Sequence, residues 1–147
     1  DGIRDTSVTG VQTCALPIFQ GGRDMIQAAN EAKGDTKILG VSLLTSLDDS
    51  DTRELYNNEF KKQFDNLINL AMETKIDGIV CSSQELELIK DTSLIKVVPG
   101  IRNQHTFDDQ KRVMTSGEAY SKGADYIVVG RPITQAKEIG EAIKDYS

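Results

Sequence analysis

Four short apolar runs, each followed by a segment with helical spacing, constrain this chain more than any other feature. They are "KILGVSLLT" (37–45), "GIVCS" (78–82), "IKVVPG" (95–100) and "DYIVVG" (125–130). Continuous apolar runs of this length, rather than alternating ones, fit strands buried on both faces. The intervening segments carry apolar residues at threes and fours. In "GGRDMIQAANEAKG", Met25, Ile26, Ala29 and Ala32 share one helical face, closed by Gly34. "RELYNNEFKKQFDNLINLAMETK" reads as one long amphipathic helix with Leu55, Phe60, Phe64, Leu67, Ile68 and Ala71 inward. "SQELELIK" is a short helix with Ser83 as its cap. "TSGEAYSKG" opens on Thr115 or Ser116, with Glu118 at capping-box spacing from Thr115, and "ITQAKEIGEAIKDYS" is the last helix. The order α-βα-βα-βα-βα predicts a parallel sheet covered by helices. An open doubly wound sheet and a (β/α)₈ barrel share this rhythm.

The opening segment differs. "DGIRDTSVTGVQTCALPIF" has no sustained period and no clear cap. It resembles the translated read-through of a sequencing adapter. Residues 1–18 are therefore expected to form a non-native or unstructured leader, and 19–147 the folded unit. With 147 residues, one domain with a sizeable core is within reach. A net charge of -6 without a basic block argues against nucleic acid or an anionic membrane as partner. No apolar run approaches the roughly 20 residues needed to span a bilayer. No secretory signal is seen, and Cys14 and Cys81 lack metal spacing, so reduced thiols in a cytoplasm are expected.

Each strand ends in small or polar residues: Thr45-Ser46, Cys81-Ser82-Ser83, Pro99-Gly100-Ile101-Arg102, and Gly130-Arg131. Ligands of parallel α/β folds bind at these carboxyl ends. In "IVVGRPIT", Gly130 allows close approach to the main chain, and Arg131 offers a planar fork matching phosphate oxygens. Pro132 suits the first turn of a following helix. A rim salt bridge is the competing use for Arg131. His105, the one histidine, stands in a polar loop where solvent exposure is the expected use, and a site built from several histidines is excluded. Asp48, Asp49 and Asp51 read as a helix-start cluster, and Cys81 as a small buried filler.

Six segments in order, "FQGGRDM", "VSLLTSLDD", "GIVCSSQE", "VVPGIR", "DDQKRVMT" and "GADYIVVGRPIT", resemble bacterial orotidine 5′-phosphate decarboxylase. The resemblance runs from Phe19 to Ser147. It implies a (β/α)₈ barrel enzyme of the cytoplasm, a homodimer, that converts orotidine monophosphate to UMP and CO₂ without metal or organic cofactor. It implies that Arg131 and the Gly130 N–H hold the 5′-phosphate, that Gln110 reaches phosphate and pyrimidine, and that Arg102 supports the phosphate or ribose side. Thr45 and Ser46 would lie at the base, with Pro99 lining the pocket. Arg102, Gln110, Gly130 and Arg131 should converge on one anion-sized pocket.

The chain departs from the family in what it lacks. Such a barrel needs eight β/α units in about 230 residues, and only the C-terminal half, four strands with alternating helices, is legible here. The family's catalytic array, D-x-K-x-x-D, has no counterpart. Asp35-Thr36-Lys37 is followed by Gly40 where the second aspartate belongs, and Asp109-Gln110-Lys111 by Met114. No catalytic residue is assigned. The sequence favours a fragment of the decarboxylase. A related sugar-phosphate-binding barrel decarboxylase or aldolase, or a non-catalytic nucleotide-binding half-barrel, stays open.

Overall fold

A computed structural model describes residues 14–103 and 114–146. Five strands form one sheet: β1 (Cys14–Ala15), β2 (Lys37–Val41), β3 (Gly78–Val80), β4 (Ile95–Pro99) and β5 (Tyr126–Val128). They lie side by side in chain order, and every pairing is parallel. The helices are α1 (Gly22–Ala32), α2 (Asp49–Tyr56), α3 (Phe60–Thr74), α4 (Ser116–Ser121), α5 (Arg131–Thr134) and α6 (Ile139–Lys144). The four expected strands are all present, adjacent and parallel; β4 fills Ile95–Pro99, where it was expected, and the other three are shorter.

The fifth strand comes from the opening segment. Cys14 and Ala15 pair with Lys37 and Ile38, Val41 N–H donates to the Pro17 carbonyl, and Ile18 bridges to Val41. These residues were expected to stand outside the fold, yet they extend its edge. Their contribution to the core is small, since Leu16 and Ile18 are exposed. Val8 and Val11 lie outside the described residues.

Register divides the sheet into two faces. Gly40, Ile79 and Lys96 stand level, as do Val98 and Ile127. Side chains alternate along each strand, so Ile38, Ile79, Cys81 and Val98 share a face. That face is buried with Ile26 of α1 and Phe64, Leu67 and Ala71 of α3 in one core. The Phe19 ring fills the space where a Cβ on Gly40 would stand. Lys96 turns its ammonium back to the carbonyls of Thr92 and Leu94, at 3.3 and 3.2 Å. The opposite face carries Leu39, Val41, Val80, Val97, Tyr126 and Val128. Exposure there rises toward β5, where Tyr126 and Val128 are 62% and 48% exposed.

The two strand-leading aspartates use the same device. Asp77 N–H donates to Ile38 O, while Ile38 N–H donates to Asp77 Oδ2 at 2.9 Å. Asp125 N–H donates to Lys96 O, while Lys96 N–H donates to Asp125 Oδ2 at 2.8 Å. Each aspartate thus hooks its strand to the preceding one at the amino end.

Two expected helices are broken. Asn57 adopts a left-handed conformation (φ 51°) and closes α2, and α3 starts afresh after Glu59. The break changes the phase, so Leu55, expected inward, is exposed while Thr52 is buried. The C-terminal helix likewise divides into α5 and α6. Asp48 caps α2 in a reciprocal box with Asp51, in keeping with the helix-start reading of that cluster, and Thr115 caps α4 with Glu118, as the spacing predicts. The segment after β3 is a 3₁₀ turn (Leu86–Ile89) with no side-chain cap, from Ser83 or any other residue; Ser82 pairs with Glu85 just before it.

The Asp77 hook predicts an acid-sensitive sheet. Burial pushes the Asp77 carboxyl up, but hydrogen bonds from Lys33, the Ile38 N–H and Lys37 outweigh it and hold its pKa at about 2. A carboxylate held below its unfolded pKa stabilises the fold above that value and loses the effect as pH falls through the folded one. Asp77→Asn should cost about 2 kcal/mol at pH 7. Urea unfolding should show that difference at pH 7 and a smaller one at pH 3. An equal deficit at both would discount the charge.

Candidate functional site at the carboxyl rim

Because every strand runs the same way, the segments leaving their carboxyl ends gather on one rim. Thr45 and Ser46 form the turn after β2, closed by Leu47 N–H to Leu44 O at 3.0 Å. Thr45 is half-buried and Ser46 exposed. Beyond Val41 the chain leaves the ladder, so these residues belong to a rim turn rather than to the strand, where the sequence placed them. Pro99 ends β4 and pairs with Val128 of β5. Gly100 follows with a positive φ of 78°, a conformation that favours glycine. It turns the chain so that Ile101 is buried and bridges to Met114.

Arg102 is half-buried. Its peptide N–H donates to Met114 O at 3.0 Å and its Nη1 to Ile101 O at 2.8 Å. Gly130 and Arg131 leave β5, the neighbour of β4. Gly130 is the N-cap of α5, and its carbonyl accepts from Ile133 and Thr134. Pro132 has no N–H, so an anion at this turn would meet the N–H groups of Gly130 and Arg131. A Cβ on Gly130 would meet nothing within 4 Å. Packing inside the chain therefore leaves open space there.

The Arg102 and Arg131 segments thus leave adjacent strands, while Thr45 and Ser46 leave a strand three steps from β5. Three interstrand spacings are about 14 Å. A bare phosphate cannot touch both ends of that rim, whereas one extended ligand can. Gln110, His105, Asp109 and Lys111 lie outside the described residues. Lys37, of the first decoy array, begins β2 on the opposite rim and pairs with Asp77 at 3.2 Å.

Sequence reasoning passed over Glu85. This carboxylate is buried below the middle of the rim, accepting from Ser82 N–H and Ser82 Oγ–H at 2.7 Å each. It fixes the turn between the Thr45 and Pro99 segments. The signal was the S-x-x-E spacing of Ser82 and Glu85. A cleft of about 780 Å³ lies beside it, between Asp48, Phe60, Lys61 and Leu88, but none of the expected site residues is in its walls. Among the described residues no group of three potential metal ligands is found.

The profile of the "Orotidine 5'-phosphate decarboxylase / HUMPS family" matches residues 8–146. The chain belongs to that family. It is 45% identical over 123 residues to an orotidine 5′-phosphate decarboxylase of Aquifex aeolicus, covering 80% of this chain and 53% of that one. It is 43% identical over 136 residues to one from Streptococcus pneumoniae, covering 85% of this chain and 58% of that one. The crystal structure of the Lactobacillus acidophilus enzyme superposes with a TM-score of 0.73 at 27% identity, covering 91% of this chain and 63% of that one. The chain thus spans little more than half the length of the curated relatives it matches. The fold is part of a decarboxylase-type barrel, and its carboxyl rim is the catalytic side of such barrels.

If the Gly130–Arg131 turn takes a phosphate, its removal should be felt by the phosphate alone. Arg131→Ala should weaken UMP binding by roughly 1.5–3 kcal/mol, the scale of a charge-assisted hydrogen bond, and leave uridine binding unchanged. Parallel calorimetric titrations with the two ligands check this. Equal losses for both would place Arg131 away from the phosphate.

Proposed function

We propose that this chain supplies the phosphate- and base-binding part of an orotidine 5′-phosphate decarboxylase, the enzyme that turns orotidine monophosphate into UMP and CO₂. The observation that carries the reading is the Gly130–Arg131–Pro132 turn. It leaves the strand beside the Arg102 segment, on the carboxyl rim of a sheet whose family match runs nearly the length of the chain. In this reading Arg131 and the Gly130 N–H hold the 5′-phosphate, and Arg102 backs the phosphate or ribose. Gln110 reaches phosphate and pyrimidine, Thr45 and Ser46 meet the base, and Pro99 lines the pocket between. The enzyme is read as a cytoplasmic homodimer working without metal or organic cofactor, with residues 1–18 outside the site.

The chemistry itself requires groups this sequence does not offer. Loss of CO₂ leaves carbanionic charge at C6 of the pyrimidine. The family's lysine would stabilise that charge and return a proton, while its aspartates crowd the departing carboxylate and reach the partner's site. Lys37, held by Asp77 on the far rim, cannot stand in.

The chain alone should therefore bind UMP but show no measurable turnover of orotidine monophosphate. A single oxyanion-type donor contributes about a hundredfold to a thousandfold in rate, and here the lysine and both aspartates are absent together. Absorbance assays on the purified chain, alone and co-expressed with an N-terminal segment carrying D-x-K-x-x-D, test this. Turnover by the chain alone would refute the reading.

A further inference from the structure

One residue ties the rim to the carboxyl-terminal helices, and nothing in its surroundings is left to chance. Asn103 directly follows Arg102. Its Oδ1 accepts from the Ser116 N–H at 2.8 Å, in the first turn of α4. Its Nδ2 donates to the Asp145 carbonyl, and its peptide N–H donates to the Tyr146 hydroxyl at 3.2 Å. A single short side chain and its own amide thus join the segment after β4, the start of α4 and the end of α6.

Tyr146 carries the link onward. Its hydroxyl meets Asn103, and its ring shares a 330 Å³ apolar cleft with Ile127 and Val129, with Ile133 of α5 and with Ile143 of α6. This is the usual division of a tyrosine, with an apolar body and a polar tip. The helix reached through Ile133 is the one that begins at Arg131. Hydrogen bonds therefore join the Arg102 segment to Tyr146 through Asn103, and the Tyr146 ring lines the same cleft as Ile133, two residues after Arg131.

We propose that Asn103 is a positioning residue: with Asp145 and Tyr146 it locks the Arg102 segment to the helix pair that starts at Arg131, and so sets the spacing of the two arginines against a nucleotide 5′-phosphate. The phosphate part of this inference rests on the nucleotide reading above; the lock itself does not. The hydroxyl and amide bonds involved are individually modest, each contributing a few-fold to an opening equilibrium. Two side-chain bonds lost together amount to about tenfold.

The test uses the full chain, as wild type, Asn103→Ala and Tyr146→Phe, with thermal midpoints as a folding control. Amide hydrogen exchange is read at Arg102, bonded to Met114, and at Ser116, with Cys81, bonded to Val97 within the sheet, as reference. Asn103→Ala should speed exchange at Arg102 and Ser116 by about tenfold and leave Cys81 unchanged. Tyr146→Phe should shift Arg102 in the same direction by less. UMP affinity should fall about three- to tenfold in Asn103→Ala, while uridine affinity holds. Unchanged exchange at Arg102 overturns the lock. Equal losses for UMP and uridine overturn positioning in favour of a purely structural part. Should wild type bind no UMP, or Arg131→Ala leave UMP affinity intact, the nucleotide reading fails and the exchange at Arg102 decides the lock on its own.

Discussion

The register of the parallel sheet is what every other feature depends on, and two carboxylates hold it. Asp77 and Asp125 each exchange a backbone bond with the preceding strand and accept a second from it through Oδ2. A one-residue slip in a sheet would send each core side chain to the opposite face. Here it would move Ile79 or Ile127 out of the helix-covered layer and break the hook of the strand that slipped. The segments around the hooks are near copies, Ile76–Val80 ("IDGIV") and Ala124–Val128 ("ADYIV"). With register fixed at the amino ends, the carboxyl ends are left for turns of polar and small residues, tied locally by Glu85 and Asn103. In barrels of parallel strands the amino-end face serves stability and the carboxyl-end face carries the site.

That division also governs what could be read in the sequence. The strands were legible because a strand covered by helices must be apolar over its length, and Ile38, Ile79 and Val98 are such residues. The rim was legible because bare glycine and arginine at a strand end have few structural uses. The helices were misread where periodicity persisted by accident. Phe60, Phe64, Leu67, Ile68 and Ala71 keep a helical spacing, and an amphipathic count carries back to Leu55 across the break at Asn57. The rings of Phe60 and Phe64 do stack, with centroids 6.5 Å apart, but Leu55 belongs to another helix. Gln135–Glu138 would extend a helix by propensity, yet the chain bends there. The return brings Ile143 and Ile133 to one cleft, so packing overrides local preference. Pairings such as Asn103 with Tyr146 join residues 43 apart in the chain and leave no local signature.

The face that opens to solvent toward β5 follows from the same geometry. In a closed barrel the inward side chains pack against those of the facing strands. Val41, Val80 and Val97 have such inward places here, and Tyr126 and Val128 face open solvent at the β5 edge. Among the described residues β1 and β5 are the edges of the sheet, and parallel edges beside an apolar face invite association.

An open face bears on the site as much as on solubility. The attraction between a guanidinium and a phosphate depends on the surrounding dielectric, and falls several-fold between a partly buried site and bulk water. Arg131 stands exposed on this rim and Arg102 half-buried. Strands closing the barrel would therefore act twice. On the proposed reading they would carry the family's lysine and aspartates to the rim, and they would exclude water from Arg102 and Arg131, strengthening any contact these make with a phosphate. On the proposed nucleotide reading, binding and catalysis would not separate cleanly, because the strength of an arginine–phosphate contact would depend on strands that keep water away from it.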